Sequence, residues 1–149
     1  MAYQLKKGLL LVLLILTGCA AQTEAPEHSY LLDRLPRAYH GSFRWHGASA
    51  LQKVSIAIDK VSYDSEKSVT ARGTGKYVTM FREADIEIEI AIAPDTMRFE
   101  MWEKNPKTNS DFITDGSHVG EISKDLKTIT AVWTSRESGR QGDLKLEAE

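Results

Sequence analysis

At residues 86–93 the chain reads IEIEIAIA, with isoleucine at every second position and glutamate or alanine between the isoleucines. Successive side chains of a β-strand point to opposite faces, so this alternation is typical of a strand with one buried and one solvated face. A Pro-Asp turn follows, after which Met97, Phe99 and Met101 resume the alternation. The two runs predict an antiparallel hairpin.

The alternation of apolar and polar residues extends outward from this hairpin. Towards the amino terminus its phase changes between Ile58 and Val61, so an extra residue has to be accommodated near residues 59–60. An extra residue in one strand of a pair is a β-bulge, which bends a long strand. Gly73 and Gly75, inside another strand-like stretch, predict a second bend or a close approach of two backbones.

Eight segments of the chain have strand character, and short turns join them. Consecutive strands with short connections form an antiparallel meander, and an eight-stranded barrel either fills with side chains or holds one small ligand. We therefore predict an all-β fold, an up-and-down barrel. A β-sandwich is the alternative. Several of the predicted strands are longer than the usual five or six residues, which favours the barrel. The predicted strands are residues 41–47, 51–63, 68–79, 84–93, 96–103, 117–123, 127–135 and 142–148.

Two further segments each allow two interpretations. Residues 30–35 read YLLDRL and stop at Pro36, which predicts a short helix whose leucines plug one end of the barrel; the alternative is an irregular apolar segment on the surface. Residues 112–114 form either a strand of their own, turned by the Asp-Gly pair at 115–116, or an extension of the next strand.

The amino terminus has the three parts of a bacterial signal peptide. Lys6 and Lys7 provide a positive start, residues 9–16 form an apolar core (LLLVLLIL), and Thr17 and Gly18 supply small residues at a cleavage site. A membrane-spanning helix needs about 20 apolar residues, and this run is about half as long. We therefore assign residues 1–18 to a signal peptide.

Residues 16–19 read LTGC, which resembles the lipobox of bacterial lipoproteins. The resemblance implies cleavage after Gly18, a diacylglycerol on the sulfur of Cys19 and acylation of the new amino terminus; the alternative is an ordinary free or buried cysteine. Several acyl chains on one residue anchor a protein stably to a membrane. Ala20 stands where an aspartate would favour retention in the inner membrane, so the resemblance implies the periplasmic face of the outer membrane in a Gram-negative source.

Composition limits what the mature chain can do. The formal charge changes from −2 to −4 on maturation, because Lys6 and Lys7 leave with the signal peptide and no acidic residue does. This mildly acidic balance argues against nucleic acid as a partner, since nucleic-acid binding needs clustered lysine and arginine. Cys19 is the only cysteine, so its lipidation would leave no thiol for a disulfide or a metal. Residues 19–29 are polar and predict a flexible tether to a single domain, residues 30–149.

The predicted barrel resembles the calycins, the group of lipocalin-like and avidin-like barrels. Residues 41–43 read GSF, similar to the Gly-x-Trp of the first calycin strand, and residues 119–146 are similar to the closing strands of small bacterial lipocalin-like domains. Trp45 lies two residues beyond the expected tryptophan, and the closing-strand arginine has no equivalent unless Arg140 takes its role. The resemblance implies the barrel but no binding residues.

No pattern in the sequence indicates catalysis. The four histidines are too scattered for a metal site, and there is no phosphate-binding loop or nucleophile elbow. Glu87 and Glu89 are an acidic pair of the type that glycosidases use, but their alternation with isoleucine favours a solvated strand face. We therefore predict a protein that is not an enzyme, without a catalytic residue, cofactor or metal.

Aromatic residues give the candidate binding site. Tyr63, Tyr77, Phe99 and Trp133 all lie on predicted strands, and a barrel concentrates such side chains in its interior or at its mouth. Filling of the core is the other interpretation of these residues.

Two functional hypotheses remain open. In the first, the barrel carries a small apolar ligand, which an interior cavity larger than about 300 Å³ would favour. In the second, it is a solid scaffold that docks an envelope protein or inhibits a hydrolase through its loops, among them the charged residues 136–140 (RESGR).

The lipid anchor is tested by Cys19→Ser. We expect wild-type protein in the membrane fraction with metabolically incorporated palmitate, and the variant in the soluble fraction without label, because Cys19 is the only thiol in the chain. An unlabelled wild-type protein, or a variant that stays membrane-bound, would contradict the assignment.

Overall fold

The structure is a computed structural model that describes residues 30–65, 68–107 and 112–149. Its eight antiparallel strands form a closed barrel in which each strand pairs with its sequence neighbours. The predicted meander barrel is therefore confirmed, and the β-sandwich alternative is wrong. The elements are α1 (Tyr30–Arg34), β1 (Ala38–Trp45), β2 (Gln52–Ser65), β3 (Ser68–Val78), β4 (Glu83–Ala93), β5 (Arg98–Lys104), β6 (Gly116–Ile122), β7 (Thr128–Ser135) and β8 (Gln141–Ala148).

The barrel is closed by pairing of its last strand with its first. The ladder between β1 and β8 runs from Tyr39 opposite Ala148 to Trp45 opposite Gly142. None of the eight described strands is therefore left with a wholly unpaired edge. Strand β1 begins at Ala38, three residues before its predicted start, because this final ladder extends the strand towards α1.

One end of the barrel is closed by α1, and we call it the closed end. Leu31 and Leu35 are buried there, and the Tyr30 hydroxyl contacts the sulfur of Met97 in the β4–β5 turn. The predicted helical plug is thus confirmed. The opposite, open end carries the β1–β2, β3–β4, β5–β6 and β7–β8 connections.

The inward positions of the strands form the core. The isoleucines of β4 all point inward, each no more than 2% exposed, as the alternation predicted. The opposite face of β4 carries Glu87 and Glu89, which lie on the outside of the barrel and pair with basic residues of neighbouring segments. The acidic pair is therefore a solvated strand face.

The predicted bulge and close approach both occur in the β2–β3 pair. The register shifts between Ile58 and Lys60, as the change of apolar phase requires. Opposite this bulge, a Cβ atom added to Gly73 would overlap the carbonyl oxygen of Ala57. Gly73 therefore allows the two backbones to approach, which a larger residue would prevent.

The segment before β6 differs from both predictions for it. Residues 112–114 are neither a separate strand nor part of β6, which begins at Gly116. Instead the ring of Phe112 packs against Tyr77, with centroids 5.0 Å apart. The segment thus contributes to the open end.

The predicted signal peptide and tether, residues 1–29, lie outside the described residues. Within the described part of the chain, no helix has the length and apolar character needed to cross a membrane.

The close approach at Gly73 is tested against Gly75, two residues along the same strand. We expect Gly73→Ala to lower the free energy of unfolding by at least the ~1–3 kcal/mol typical of overpacking, because the new methyl group meets a backbone oxygen. Gly75→Ala should be milder, since its nearest neighbour is the Ile86 side chain at 3.0 Å, which can shift. Urea unfolding followed by circular dichroism measures both; equal stabilities would contradict this account.

Candidate functional site

A cavity of about 260 Å³ lies at the open end of the barrel. This is somewhat smaller than the roughly 300–1,000 Å³ of pockets for drug-sized ligands, so the cavity suits a smaller molecule. Five aromatic rings line it, from Phe43, Trp45, Tyr77, Phe112 and Trp133.

Strand alternation places most of these side chains. In β1, β3 and β7 the inward residues nearest the open end include Trp45, Tyr77 and Trp133. In β5 and β6 the same inward phase continues from apolar residues to Glu103 and His118. The alternation that builds the apolar core therefore also buries a carboxyl group and an imidazole.

Tyr77, Glu103 and His118 form a hydrogen-bonded group at the base of the cavity, which we call the polar trio. The Tyr77 hydroxyl donates to Glu103 Oε1, and His118 Nε2 lies 3.0 Å from the same oxygen. The three residues are only 4%, 5% and 0% exposed, respectively. No other described residue donates a hydrogen bond to Glu103, so its Oε2 has no protein donor there.

The protons of the trio follow from its partners. Burial, and then the charge and hydrogen bond of Glu103, raise the pKa of Tyr77 well above its usual range, so this hydroxyl remains a donor at neutral pH. An ionised Glu103 accepts at Oε1, and the 3.0 Å contact then assigns a proton to His118 Nε2. His118 Nδ1 is buried and has no hydrogen-bond partner among the described residues.

Aromatic contacts build the wall of the cavity above the trio. The rings of Trp45 and Trp133 meet edge to face with centroids 5.1 Å apart, and Phe43 meets Trp45 in the same way at 5.0 Å. At the mouth, the Arg140 guanidinium lies 4.4 Å from the centroid of the Trp45 ring, a cation–π distance. Trp133 Nε1 is buried, and no described residue forms a hydrogen bond with it.

The structure brings together two of the four aromatic candidates named from the sequence. Tyr77 and Trp133 line the cavity. Phe99 is fully buried in the core below it, and Tyr63 lies near Tyr30 and Asp33 of α1, at the closed end.

Sequence reasoning missed Glu103 and His118. In β5, every second residue from Phe99 points inward, and this series ends at Glu103. In β6, the inward series that contains Ile122 also contains His118, four residues earlier. A polar residue in the buried phase of two strands was therefore the available signal.

The remaining described histidines lie apart from the cavity. His46 Nε2 is 2.8 Å from Asp143 Oδ1 on the surface, and His40 is exposed near Glu149. Across residues 30–65, 68–107 and 112–149, no three histidine, cysteine, aspartate or glutamate side chains are grouped so that they could hold a metal ion.

Comparison of the sequence with models of protein families and with curated proteins gives no match.

The trio is tested by Tyr77→Phe, with Tyr63→Phe as its control. Tyr77→Phe removes one of two donors to a buried carboxyl group, and we expect a loss of about 1–3 kcal/mol in the free energy of unfolding. Tyr63→Phe removes a buried hydroxyl that has no hydrogen-bond partner among the described residues, so stability should be unchanged or slightly higher. Urea unfolding distinguishes them, and a Tyr77→Phe protein as stable as wild type would show that the trio contributes no stability.

Proposed function

We propose that this chain is a lipid-anchored envelope protein whose barrel binds one small molecule in the cavity at its open end. The observation that carries the proposal is a cavity walled by five aromatic rings, with a buried polar group at its base. Binding pockets commonly combine an apolar, aromatic lining with a few converging polar groups that orient the ligand. The cavity has this composition.

The polar trio supports a binding role because apolar side chains at these positions could build the same fold. A buried carboxyl group loses its hydration, and hydrogen bonds only partly offset that loss. Apolar side chains of similar volume at such positions often leave a protein equally or more stable. The core nearer the closed end is built from such residues, among them Ile88, Ile90 and Ile92. The buried carboxyl group and imidazole, in contrast, lie at the end that has a cavity.

The position of the proposed anchor agrees with this role. Residues 19–29 join the barrel at Tyr30, the start of α1, which lies at the closed end. The mouth of the cavity is at the other end of the barrel, away from the point of attachment. Lipidation of Cys19 would thus tether the domain without covering its mouth, on the periplasmic face of the outer membrane in a Gram-negative cell.

A second candidate function is docking of an envelope protein at the open end. Met80 and Phe81 form the tip of the β3–β4 connection and are 87% and 86% exposed. Exposed apolar residues on a loop beside a cavity are a common feature of contact surfaces.

Ligand binding is tested by native mass spectrometry of mature protein purified from its host. We expect a co-purified small molecule in the wild-type protein and its loss in Ala84→Phe, because Ala84 lines the cavity and a phenyl ring would fill it. Circular dichroism verifies that this variant is folded.

Met80→Ser/Phe81→Ser provides the matched control. This double variant removes the exposed apolar tip and should keep the bound molecule. If the double variant also loses a protein that cross-links to the wild type in cells, docking is a property separate from ligand binding. A wild-type protein that is ligand-free in repeated preparations would contradict the proposed function.

A further inference from the structure

We propose that the ligand is a small organic cation, an amine or a quaternary ammonium compound, whose charge lies against Glu103 and the aromatic wall. This inference rests on the proposed function, since it specifies what the same cavity binds. Its basis is the charge of the polar trio and the chemistry of the surrounding rings.

The surroundings of His118 determine its charge. A doubly protonated imidazole would carry an N–H on Nδ1, and this buried atom has no acceptor in the described part of the chain. An unpartnered buried donor on a charged group is costlier than an unpartnered lone pair of a neutral ring. The geometry therefore favours neutral imidazole with its proton on Nε2.

An ionised Glu103 has no cationic partner in the described part of the barrel once His118 is neutral. Its two hydrogen-bond donors, Tyr77 and His118, are then both neutral and both bind Oε1. Among the described residues, His118 is the only basic residue within ion-pair distance of Glu103. A buried carboxylate without a counter-charge is unfavourable, and a bound cation near Oε2 would relieve that cost.

Aromatic rings line the cavity together with this carboxylate. The faces of tryptophan, tyrosine and phenylalanine attract cations within about 6 Å, most strongly where water is excluded. The wall already holds one cation of its own chain, because Arg140 lies over Trp45 at the mouth. A ligand ammonium group deeper in the cavity would be close to a buried carboxylate as well as to aromatic rings.

The mouth has a different charge from the base. Arg82, Glu83 and Arg140 line it, and Glu83 pairs with Lys76 across the β3–β4 hairpin. Solvent and salt screen these exposed groups, whereas the field of a buried carboxylate is screened much less. Glu103 therefore determines the charge preference within the cavity.

Calorimetry on the mature protein compares two matched pairs of probes. The cations are choline and benzyltrimethylammonium, and each is paired with its neutral isostere, in which a tert-butyl group replaces the trimethylammonium group. We expect at least one cation to bind about tenfold or more tightly than its isostere, since both members fill the same volume and only one carries charge.

Glu103→Gln keeps the side-chain shape and removes the negative charge. We expect it to weaken cation binding by about tenfold or more and to leave the affinity of the isostere unchanged. Glu100→Gln, on the outer face of the same strand, is the matched control and should bind both probes as wild type does. Arg140→Ala removes the cation that occupies Trp45 and should strengthen cation binding, which provides a second test if Glu103→Gln does not fold.

The outcomes separate this inference from the proposed function. The cation assignment is overturned if cation and isostere bind equally, if the anion benzoate, measured in the same way, binds more tightly than the cations, or if cation binding is insensitive to Glu103→Gln. A co-purified neutral or anionic molecule would also overturn it but would keep the cavity as a binding site. Failure of every cation to bind also overturns the assignment. Only a protein that is ligand-free in native mass spectrometry as well would overturn both.

Discussion

The pairing of β8 with β1 is the constraint on which the rest of the structure depends. This ladder converts a meander of hairpins into a closed surface, so each strand side chain faces either a sealed interior or the outside. Glycine is needed where the first and last strands meet, since a Cβ on Gly41 would overlap the carbonyl oxygen of Lys145. Once the sheet is closed and α1 covers one end, the described part of the chain leaves the cavity at the end opposite the helix.

The polar trio is a consequence of that closure. A carboxylate on an open sheet could turn towards water, but Glu103 lies in the inward phase of β5 and remains 5% exposed. It is held by donors from two other strands, Tyr77 of β3 and His118 of β6. The trio is therefore fixed by strands rather than by loops, which holds its geometry before any ligand arrives. Preorganised polar groups at the base of an aromatic cavity lose less entropy on binding than mobile ones.

Much of the fold could be predicted from local pattern, and much of the site could not. The period of two identified the strands, the phase change located the bulge near Lys60, and Gly73 marked a close approach. Of the aromatic residues named from the pattern, Tyr77 and Trp133 line the cavity. Alternation gives the face of a strand but not its register with a neighbour, however, and the trio depends on register: His118 lies opposite Met101, diagonal to Glu103. Phe112 was missed because it reaches the cavity from an irregular segment.

The central claim is that the open end of the barrel is a binding site for a small molecule held over a buried carboxylate. A high-resolution crystal structure of mature protein isolated from its native membranes tests this most directly. The account predicts non-protein density between the aromatic rings, with a polar or cationic group within hydrogen-bond or ion-pair distance of Glu103 Oε2. A cavity closed by side chains, or filled only by water in crystals of several preparations, would contradict it.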